Sequence, residues 1–255
     1  MKIGICASPE NAALTAPGVI DYVELNLTSL SEMSGEVFSE TKRLLADKGI
    51  KAECANCFFP GTIPLVGPAF DLGAVREYTR NALDRARGIG ITTCVLGSGK
   101  ARKIPEGFDP SEALKQFEEA AYAVGDIAKA NGVTVVIEPL NRKETNLINS
   151  VAEGAALCRR LSHPNVLLLA DLYHVALENE PLSVISANGD IIKHIHIARP
   201  EGRTAPLPSD GYDYSALARE LKKAGYDLRV SIEGRISENY AETVAASTAF
   251  LRTVF

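Results

Sequence analysis

The sequence predicts an α/β fold in which eight parallel strands close into a barrel surrounded by helices, a (β/α)8 TIM barrel. Three observations lead to this prediction. Short apolar, β-rich segments alternate with longer helical patterns along the whole chain, and there are eight such segments. The chain has 255 residues, close to the ~250 that one such barrel usually needs. We therefore expect residues 1–255 to form a single barrel domain, with an open doubly wound sheet as the alternative.

The predicted strands are almost continuously apolar, as is typical of parallel strands that are buried on both faces. In chain order they are Ile3–Ala7, Tyr22–Leu27, Lys51–Cys57, Thr93–Leu96, Val133–Glu138, Val166–Asp171, Ile191–Ile197 and Leu228–Glu233.

The predicted helices occupy the intervals between these strands. They are Glu10–Ala16, Glu36–Lys48, Val75–Gly88, Ser111–Ala130, Val151–Leu161, Pro181–Ala187, Tyr214–Lys223 and Glu238–Val254. Ser111 and Ser150 stand at helix starts, where a hydroxyl can accept a hydrogen bond from a free backbone N–H. Gly49, Gly132 and Gly225 each follow a helix, where a left-handed capping residue is expected.

The composition restricts the classes of partner. The formal net charge of −5 argues against a general nucleic-acid binder, which needs a basic face to neutralise phosphates. No apolar run approaches the ~20 residues that a membrane span requires. The N-terminus enters a strand-like segment directly, so we expect no signal peptide, and the five scattered cysteines favour free thiols in a reducing cytoplasm.

Cys54 and Cys57 form a C-x-x-C pattern, which in other contexts indicates a redox or zinc site. Here the surrounding KAECANCFF predicts a strand, where positions three apart point to opposite faces. The chain also has no second pair of cysteines at such spacing to complete a zinc site. The sequence therefore argues against a redox site and against a zinc site at these two cysteines.

Charged side chains stand at or near the ends of the last four predicted strands. They are Glu138, Asp171, His196 and Glu233. Because the carboxyl ends of adjacent barrel strands meet at one mouth, three carboxylates and one imidazole are expected to converge there. Such carboxylates repel each other, and a divalent metal ion relieves that repulsion. This oxygen-rich set with one nitrogen favours Mn²⁺, with Mg²⁺ or Co²⁺ as alternatives.

Each of these residues taken singly also has a structural explanation, as a helix cap or as the partner of an arginine. His194 and His196 share one face of their strand, because side chains alternate with period two. Only one of the two can lie at the mouth, and we expect it to be His196. The other would lie one layer deeper.

Two further patterns carry weaker signals. Residues 97–103, GSGKARK, follow the fourth strand and match neither a P-loop nor a dinucleotide fingerprint. A loop at the mouth is the favoured interpretation, with a site for a substrate phosphate or carboxylate as the alternative. Tyr22, Glu24 and Asn26 alternate on the second strand and are candidates to face the pocket, although Glu24 is equally suited to a core ion pair.

Several segments of the second half resemble one family. Residues 138–144, EPLNRKE, resemble the E-x-L-N-R-x-E motif of the ketose 3-epimerases of the D-tagatose and D-psicose 3-epimerase types, within the wider xylose-isomerase-like barrels. Residues 171–174, DLYH, resemble that family's D-x-x-H, and residues 194–196, HIH, its H-x-H. Residues 231–234, SIEG, resemble the segment with the final strand's glutamate. The first half matches only as a general barrel pattern.

The resemblance implies a divalent-metal-dependent epimerase or isomerase that acts on a ketose or related hydroxy-ketone. Glu138 and Glu233 would bind the metal and act as the acid/base pair, while Asp171 and His196 would complete the metal site. The reaction would proceed through an enediolate that the metal stabilises. Two carboxylates on opposite sides of one carbon can remove a proton from one face and return one to the other.

The resemblance also implies residues that bind substrate. Glu144 and His174, both expected on loops at the mouth, would contact substrate hydroxyl or carbonyl groups, and Arg203 would bind a substrate oxygen. The segment after His196 is about one residue longer than the family pattern, so Arg199 is a rival to Arg203. The chain is also shorter than typical ketose 3-epimerases and nearer in length to hydroxypyruvate isomerases, which leaves the substrate open.

Other functions fit parts of the pattern. A lyase of the inosose-dehydratase or C-glycoside-cleaving type would use the same ligands, as would a hydroxypyruvate-isomerase-like aldose–ketose isomerase. A DNA-repair nuclease of the endonuclease IV type needs a multi-zinc cluster rich in histidine and a basic DNA face, and the four histidines and net negative charge of this chain argue against it. A barrel without metal would serve as a binding module. The expected partner is a sugar or a sugar-like small molecule, with no nucleic acid and no membrane, and a homo-oligomer stays open.

Overall fold

Eight parallel strands form a closed barrel in the computed structural model, which describes residues 1–255. Each strand pairs with its neighbours in sequence, and the last pairs with the first. The strands are β1 (Lys2–Cys6), β2 (Tyr22–Asn26), β3 (Ala52–Asn56), β4 (Thr93–Leu96), β5 (Thr134–Ile137), β6 (Val166–Asp171), β7 (Ile192–Ile197) and β8 (Arg229–Ile232). The predicted (β/α)8 barrel is confirmed, and the open sheet is wrong.

Ten helices lie between and after the strands, two more than the sequence patterns predicted. They are α1 (Pro9–Ala12), α2 (Leu27–Glu32), α3 (Gly35–Asp47), α4 (Leu72–Ile89), α5 (Pro110–Ala130), α6 (Val151–Leu161), α7 (Leu172–Leu177), α8 (Ser183–Ala187), α9 (Ser215–Lys223) and α10 (Tyr240–Val254). The two additional helices, α2 and α7, each begin directly after a strand. Each has only six residues, too few for a helical apolar period to show in the sequence.

The ends of the helices agree with the predicted caps in all but one case. Ser150 caps α6 as expected. Ser111 does not cap α5, because Asp109 takes that place and its side chain accepts a hydrogen bond from the Ser111 N–H. The three predicted left-handed residues all have positive φ angles, of 64°, 67° and 64° at Gly49, Gly132 and Gly225.

The barrel interior contains a buried polar layer. Glu24 of β2 and His194 of β7 are fully buried there, and Ser231 of β8 donates a hydrogen bond of 2.5 Å to the Glu24 carboxylate. The Tyr22 hydroxyl lies 2.7 Å from Ser231 Oγ. Gly4 of β1 makes room for that phenol, because a Cβ at Gly4 would overlap the Tyr22 ring.

At the amino ends of the strands, three charged residues form what we call the base cluster: Lys2, Glu53 and Arg229. Lys2 Nζ donates to Glu53 Oε1 at 2.6 Å, and Arg229 Nε donates to Glu53 Oε2 at 2.7 Å. The ion pairs tie the starts of β1, β3 and β8 together. No helix of the chain combines the length and apolar character that crossing a membrane requires.

Candidate metal centre

Four charged side chains meet at the carboxyl end of the barrel and form what we call the mouth cluster: Glu138, Asp171, His196 and Glu233. Asp171 ends β6, His196 lies near the end of β7, and the two glutamates directly follow β5 and β8. Their candidate ligand atoms all lie within 4.8 Å of one another. The four consecutive strands thus bring together the four residues that the sequence singled out.

His196 lies at the centre of the mouth cluster. Its Nδ1 atom is 3.1 Å from Glu138 Oε1 and 3.4 Å from Glu233 Oε2. Its Nε2 atom is 2.9 Å from Glu24 Oε1, on the side of the barrel interior. Burial opposes the charged imidazole, but the surrounding carboxylates, Glu24 foremost, raise the pKa of His196 well above its usual value.

The three carboxylates of the mouth cluster have unequal surroundings. Burial, followed by repulsion from Glu233 and Glu138, raises the pKa of Asp171 to about 7. Burial likewise raises the pKa of Glu138. Burial acts in the same direction on Glu233, but His196 and Arg203 outweigh it and lower the pKa of Glu233 to about 2. Without a further cation, the cluster therefore disfavours the ionised form of two of its three carboxyl groups.

The mouth cluster has the composition of a site for a hard divalent cation. Three carboxylates and one imidazole can provide oxygen ligands and one nitrogen ligand, a set suited to Mn²⁺, Mg²⁺ or Co²⁺. Asp171 Oδ2 is buried and has no hydrogen-bond partner, which is costly unless a cation or donor binds it. A cation there would also reduce the repulsion that raises the pKa of Asp171. The residues present therefore fit a metal ion.

Glu24 supports the mouth cluster from below. It is fully buried, and its carboxylate accepts hydrogen bonds from His194 Nε2 at 2.7 Å and from His196 Nε2 at 2.9 Å. Burial opposes its ionisation, but the two histidines lower the pKa of Glu24 well below its usual value. Of the two uses that the sequence allowed, the structure shows the core ion pair. A carboxylate behind a histidine fixes the ring so that the opposite nitrogen faces a metal.

Two other groupings of metal-binding residue types include thiols. One contains Cys6 and the other Cys54, each together with Glu24 and one histidine. Burial raises the pKa of both thiols well above the usual value, which disfavours the thiolate that a metal would bind. The mouth cluster is therefore the better candidate. It includes His196 and not His194, which is the choice that the sequence favoured.

Arg203 closes one side of the mouth cluster. Its Nη2 atom donates to Glu233 Oε2 at 2.5 Å, its Nη1 atom is 3.3 Å from Glu144 Oε1, and the guanidinium lies over the Tyr173 ring. The rival, Arg199, instead lies 3.5 Å from the exposed Glu201. Of the two arginines, Arg203 is the one that reaches the cluster.

His174 lies beside Asp171, on a helix and not on the predicted loop. It belongs to α7, whose first turn is capped by the Asp171 side chain. Its Nδ1 atom accepts from the Asn141 backbone N–H at 3.2 Å, so the proton is on Nε2, which lies 3.5 Å from Asp171 Oδ2. Burial and the nearby Arg203 lower the pKa of His174 to about 3, so the ring is neutral at physiological pH.

A cavity of about 290 Å³ opens beside the mouth cluster. Its walls include both glutamates of the cluster together with Glu144, Arg203, Asn56 and Lys100. A larger cavity of about 610 Å³ lies at the opposite end of the barrel, next to the base cluster. That cavity contains a single carboxylate, which is already paired with two cations, so the smaller one is the better candidate for chemistry.

Asn56 is a site residue that the sequence interpretation missed. It ends β3 and donates a hydrogen bond of 3.0 Å from Nδ2 to Glu233 Oε1. The signal that could have identified it is the one used for the other four residues, namely a polar side chain at the carboxyl end of a barrel strand. It was missed because the pattern that singled out the other four residues was a charged side chain, and the Asn56 amide is neutral.

Comparison with known proteins gives consistent matches over most of the chain. The family model described as xylose isomerase-like TIM barrel matches residues 14–254. A 3-dehydro-D-guloside 4-epimerase from Escherichia coli is 31% identical over 221 residues, which cover 84% of both chains. An L-ribulose 3-epimerase from a Methylomonas species is 27% identical over 227 residues, 86% of this chain and 75% of that protein.

Among solved structures, a D-allulose 3-epimerase from Methylomonas in complex with D-allulose superposes with a TM-score of 0.84. The match covers 100% of this chain and 97% of that chain at 20% sequence identity. At this level of identity the superposition supports the barrel fold alone.

Proposed function

We propose that this chain, which belongs to the xylose isomerase-like TIM barrel family, is a metal-dependent sugar epimerase that acts on a ketose or related hydroxy-ketone. Relatives that cover most of the chain are named as sugar epimerases. The observation that carries the proposal is the mouth cluster, which brings three carboxylates and one imidazole within 4.8 Å of one another beside a cavity.

Glu138, Asp171, His196 and Glu233 would hold the divalent ion, for which Mn²⁺ is our first choice and Mg²⁺ or Co²⁺ are alternatives. When bound, such an ion supplies positive charge beside a substrate carbonyl and so makes the neighbouring C–H group more acidic. The remaining chemistry is the transfer of a proton, which the side chains of this chain can perform.

Glu138 and Glu233 are proposed as the acid/base pair. They follow β5 and β8, which are separated by two strands in the barrel, and both border the cavity. A substrate carbon between them would face one carboxylate on each side. One carboxylate would remove the proton and the other would return a proton to the opposite face, which inverts the carbon.

Three other residues are proposed to bind the substrate. Arg203 and Glu144 lie together at the wall of the cavity, where they can donate to and accept from hydroxyl groups. His174 is neutral and carries its proton on Nε2, an orientation suited to donating a hydrogen bond to an oxygen near Asp171. Neutral donors of this kind suit uncharged hydroxyl and carbonyl oxygens.

The test is proton–deuterium exchange in D₂O, because exchange reports C–H abstraction whatever the product is. Chelator-treated protein is incubated with free ketoses, ketose phosphates and keto-inositols, with and without Mn²⁺, Mg²⁺ or Co²⁺, and followed by NMR. We expect proton–deuterium exchange and an epimer of unchanged mass only in the samples that contain metal. Exchange that is equally fast in metal-free protein would contradict metal dependence, and loss of water or an aglycone would identify a lyase instead.

A further inference from the structure

The loop after β4, residues 97–103 (GSGKARK), has no role in the proposed chemistry. The sequence allowed an anion site here, but Arg102, one of the three basic residues of this loop, does not border the cavity. Arg102 is fully buried, whereas Lys100 is the basic residue that borders the cavity. Burial lowers the pKa of Arg102 to about 10, which leaves the guanidinium charged at neutral pH.

The buried guanidinium of Arg102 makes one hydrogen bond to protein. Its Nη2 atom donates to the carbonyl oxygen of Glu138 at 2.6 Å, and the group lies over the Phe117 ring. Its Nε and Nη1 atoms are buried and have no hydrogen-bond partner. A buried charge with so few partners is costly, so stability alone is a poor explanation for an arginine at this position.

Gly97 contacts the same glutamate at its carboxylate. A Cβ at Gly97 would overlap Glu138 Oε2, so the carboxylate lies directly against the glycine backbone. Gly97 has no positive φ, which means that close approach, and not backbone conformation, requires a glycine. The backbone N–H of Glu138 in turn donates to Leu96 O at 3.3 Å. β4 and its loop therefore contact Glu138 at its N–H, its carbonyl and its carboxylate.

The loop that makes these contacts is itself fixed. Ser98 O accepts hydrogen bonds from the N–H groups of Ala101 and Arg102, which forms a tight turn. Ser98 Oγ accepts from the Phe59 N–H at 2.9 Å, and Ala101 O accepts from the Leu65 N–H at 2.7 Å. The loop after β3 thus holds the loop after β4, which in turn holds Glu138.

We propose that Arg102 is a positioning residue for Glu138: it fixes the Glu138 peptide while Gly97 sets the direction of the carboxylate, and neither touches substrate. The inference rests on the proposed function in one respect, because that function makes Glu138 a metal ligand and one of the acid/base pair. The geometric part can be measured without any activity. A misplacement of about 1 Å at a reacting group can reduce the rate ~100-fold, so fixing one glutamate has a measurable benefit.

The variants are Arg102→Met, which removes the hydrogen bond, and Arg102→Lys, which keeps one donor. Lys103→Met is the matched control, because it removes a positive charge from the same loop at an exposed position. We expect Arg102→Met to lower kcat ~10–100-fold with a smaller change in KM, and to weaken metal binding ~10-fold in calorimetric titration. Arg102→Lys should recover part of the loss in kcat and part of the loss in metal affinity. Lys103→Met should match the wild type in both.

A role confined to stability would give a different result, namely a lower melting temperature with normal kcat and metal affinity per folded molecule, and this would overturn the proposal. If Arg102→Met does not fold, Gly97→Ala replaces it, because the added methyl would overlap Glu138 Oε2 and should displace the Glu138 carboxylate. Its kcat should then fall, and wild-type kcat would overturn the proposal.

A crystal structure of the folded variant separates this inference from the proposed function. If the wild type binds no metal and turns over no sugar, the proposed function fails. The position of Glu138 in Arg102→Met or Gly97→Ala still decides the inference. We expect its main chain or carboxylate to move, and an unchanged Glu138 in the variant would overturn the positioning role.

Discussion

The two ends of the barrel treat their carboxylates in opposite ways. In the base cluster one carboxylate, Glu53, lies between two cations, Lys2 and Arg229. Burial opposes its ionisation, but the hydrogen bonds from both partners outweigh burial and lower the pKa of Glu53. In the mouth cluster three carboxylates share one imidazole and have the guanidinium of Arg203 on one side, and the pKa of Asp171 rises to about 7.

This difference indicates which end is arranged for stability and which for chemistry. A charge at the base is balanced by the protein itself, and the ion pairs join the first, third and last strands. The charges at the mouth are balanced only in part, which is the imbalance that the proposed divalent cation would relieve. Barrel enzymes place their active sites at the carboxyl ends of the strands, and the amino ends contribute mainly to stability.

The largest expected effect tests the two glutamates at the mouth. Glu138→Gln and Glu233→Gln should each abolish net epimerisation, with losses of ~10²–10⁴-fold, because an amide cannot accept the proton usefully. Each amide keeps one ligating oxygen, so metal content should be retained. One variant should still exchange the substrate proton with D₂O, since the remaining base works on its own face.

Product analysis and deuterium incorporation by NMR measure both outcomes on the same sample. Full inversion by either variant would rule out the scheme with two bases. A single essential glutamate, with the other only supportive, would favour an aldose–ketose isomerase.

A smaller effect is expected below the mouth, at Glu24. Glu24→Gln removes the charge behind His196 and should weaken metal binding ~10–100-fold, as is typical when a partner of a ligating histidine is lost. Isothermal titration of the chelator-treated protein measures this affinity. Glu53→Gln is the matched control, since it is the same substitution at the other end of the barrel. Equal metal affinity in the two variants would show that Glu24 does not support the site.

The barrel and the mouth cluster were predictable because both depend on periodic patterns. Strand-like runs of four to six residues end at or directly before Glu138, Asp171 and Glu233, and parallel strands in a barrel all present their ends at one mouth. The choice of His196 over His194 follows from its position, because the two share one face of β7 and His196 is nearer the carboxyl end of the strand. Predictions from local patterns of this kind do not depend on which residues far apart in sequence come into contact.

The residues that support the cluster were less predictable because they act across the barrel. Glu24 is 172 residues from His196 in sequence, and Asn56 is 177 residues from Glu233. Which of these pairs meet depends on closure of the barrel and on strand register. Arg102 has the sequence context of an anion-binding loop, and only its burial against the Glu138 carbonyl indicates otherwise. Helix α7 was missed because it has only six residues and begins directly after β6.

An effect smaller than the one at Glu24 is expected at the substrate side of the mouth. Glu144→Gln and His174→Asn should raise KM ~10-fold through the loss of a hydrogen bond to substrate, while metal content stays nearly constant. Steady-state kinetics measures KM, and metal analysis of the same samples measures metal content. His174 Nε2 lies 3.5 Å from Asp171 Oδ2, so loss of metal in His174→Asn would move this residue into the ligand set and enlarge the mouth cluster.

The smallest effect is expected at the base. Glu53→Gln should reduce the free energy of unfolding by less than ~1 kcal/mol at neutral pH, since ion pairs near the surface contribute little. The pKa of Glu53 is lowered in the folded protein, so its contribution is present above the unfolded pKa of ~4.3 and is lost as the pH falls through the folded value. Urea unfolding at a series of pH values should therefore show the difference between wild type and Glu53→Gln narrowing in acid. Turnover and metal affinity should stay at wild-type values, and a fall in kcat in a fully folded Glu53→Gln protein would contradict the division of roles between the two ends.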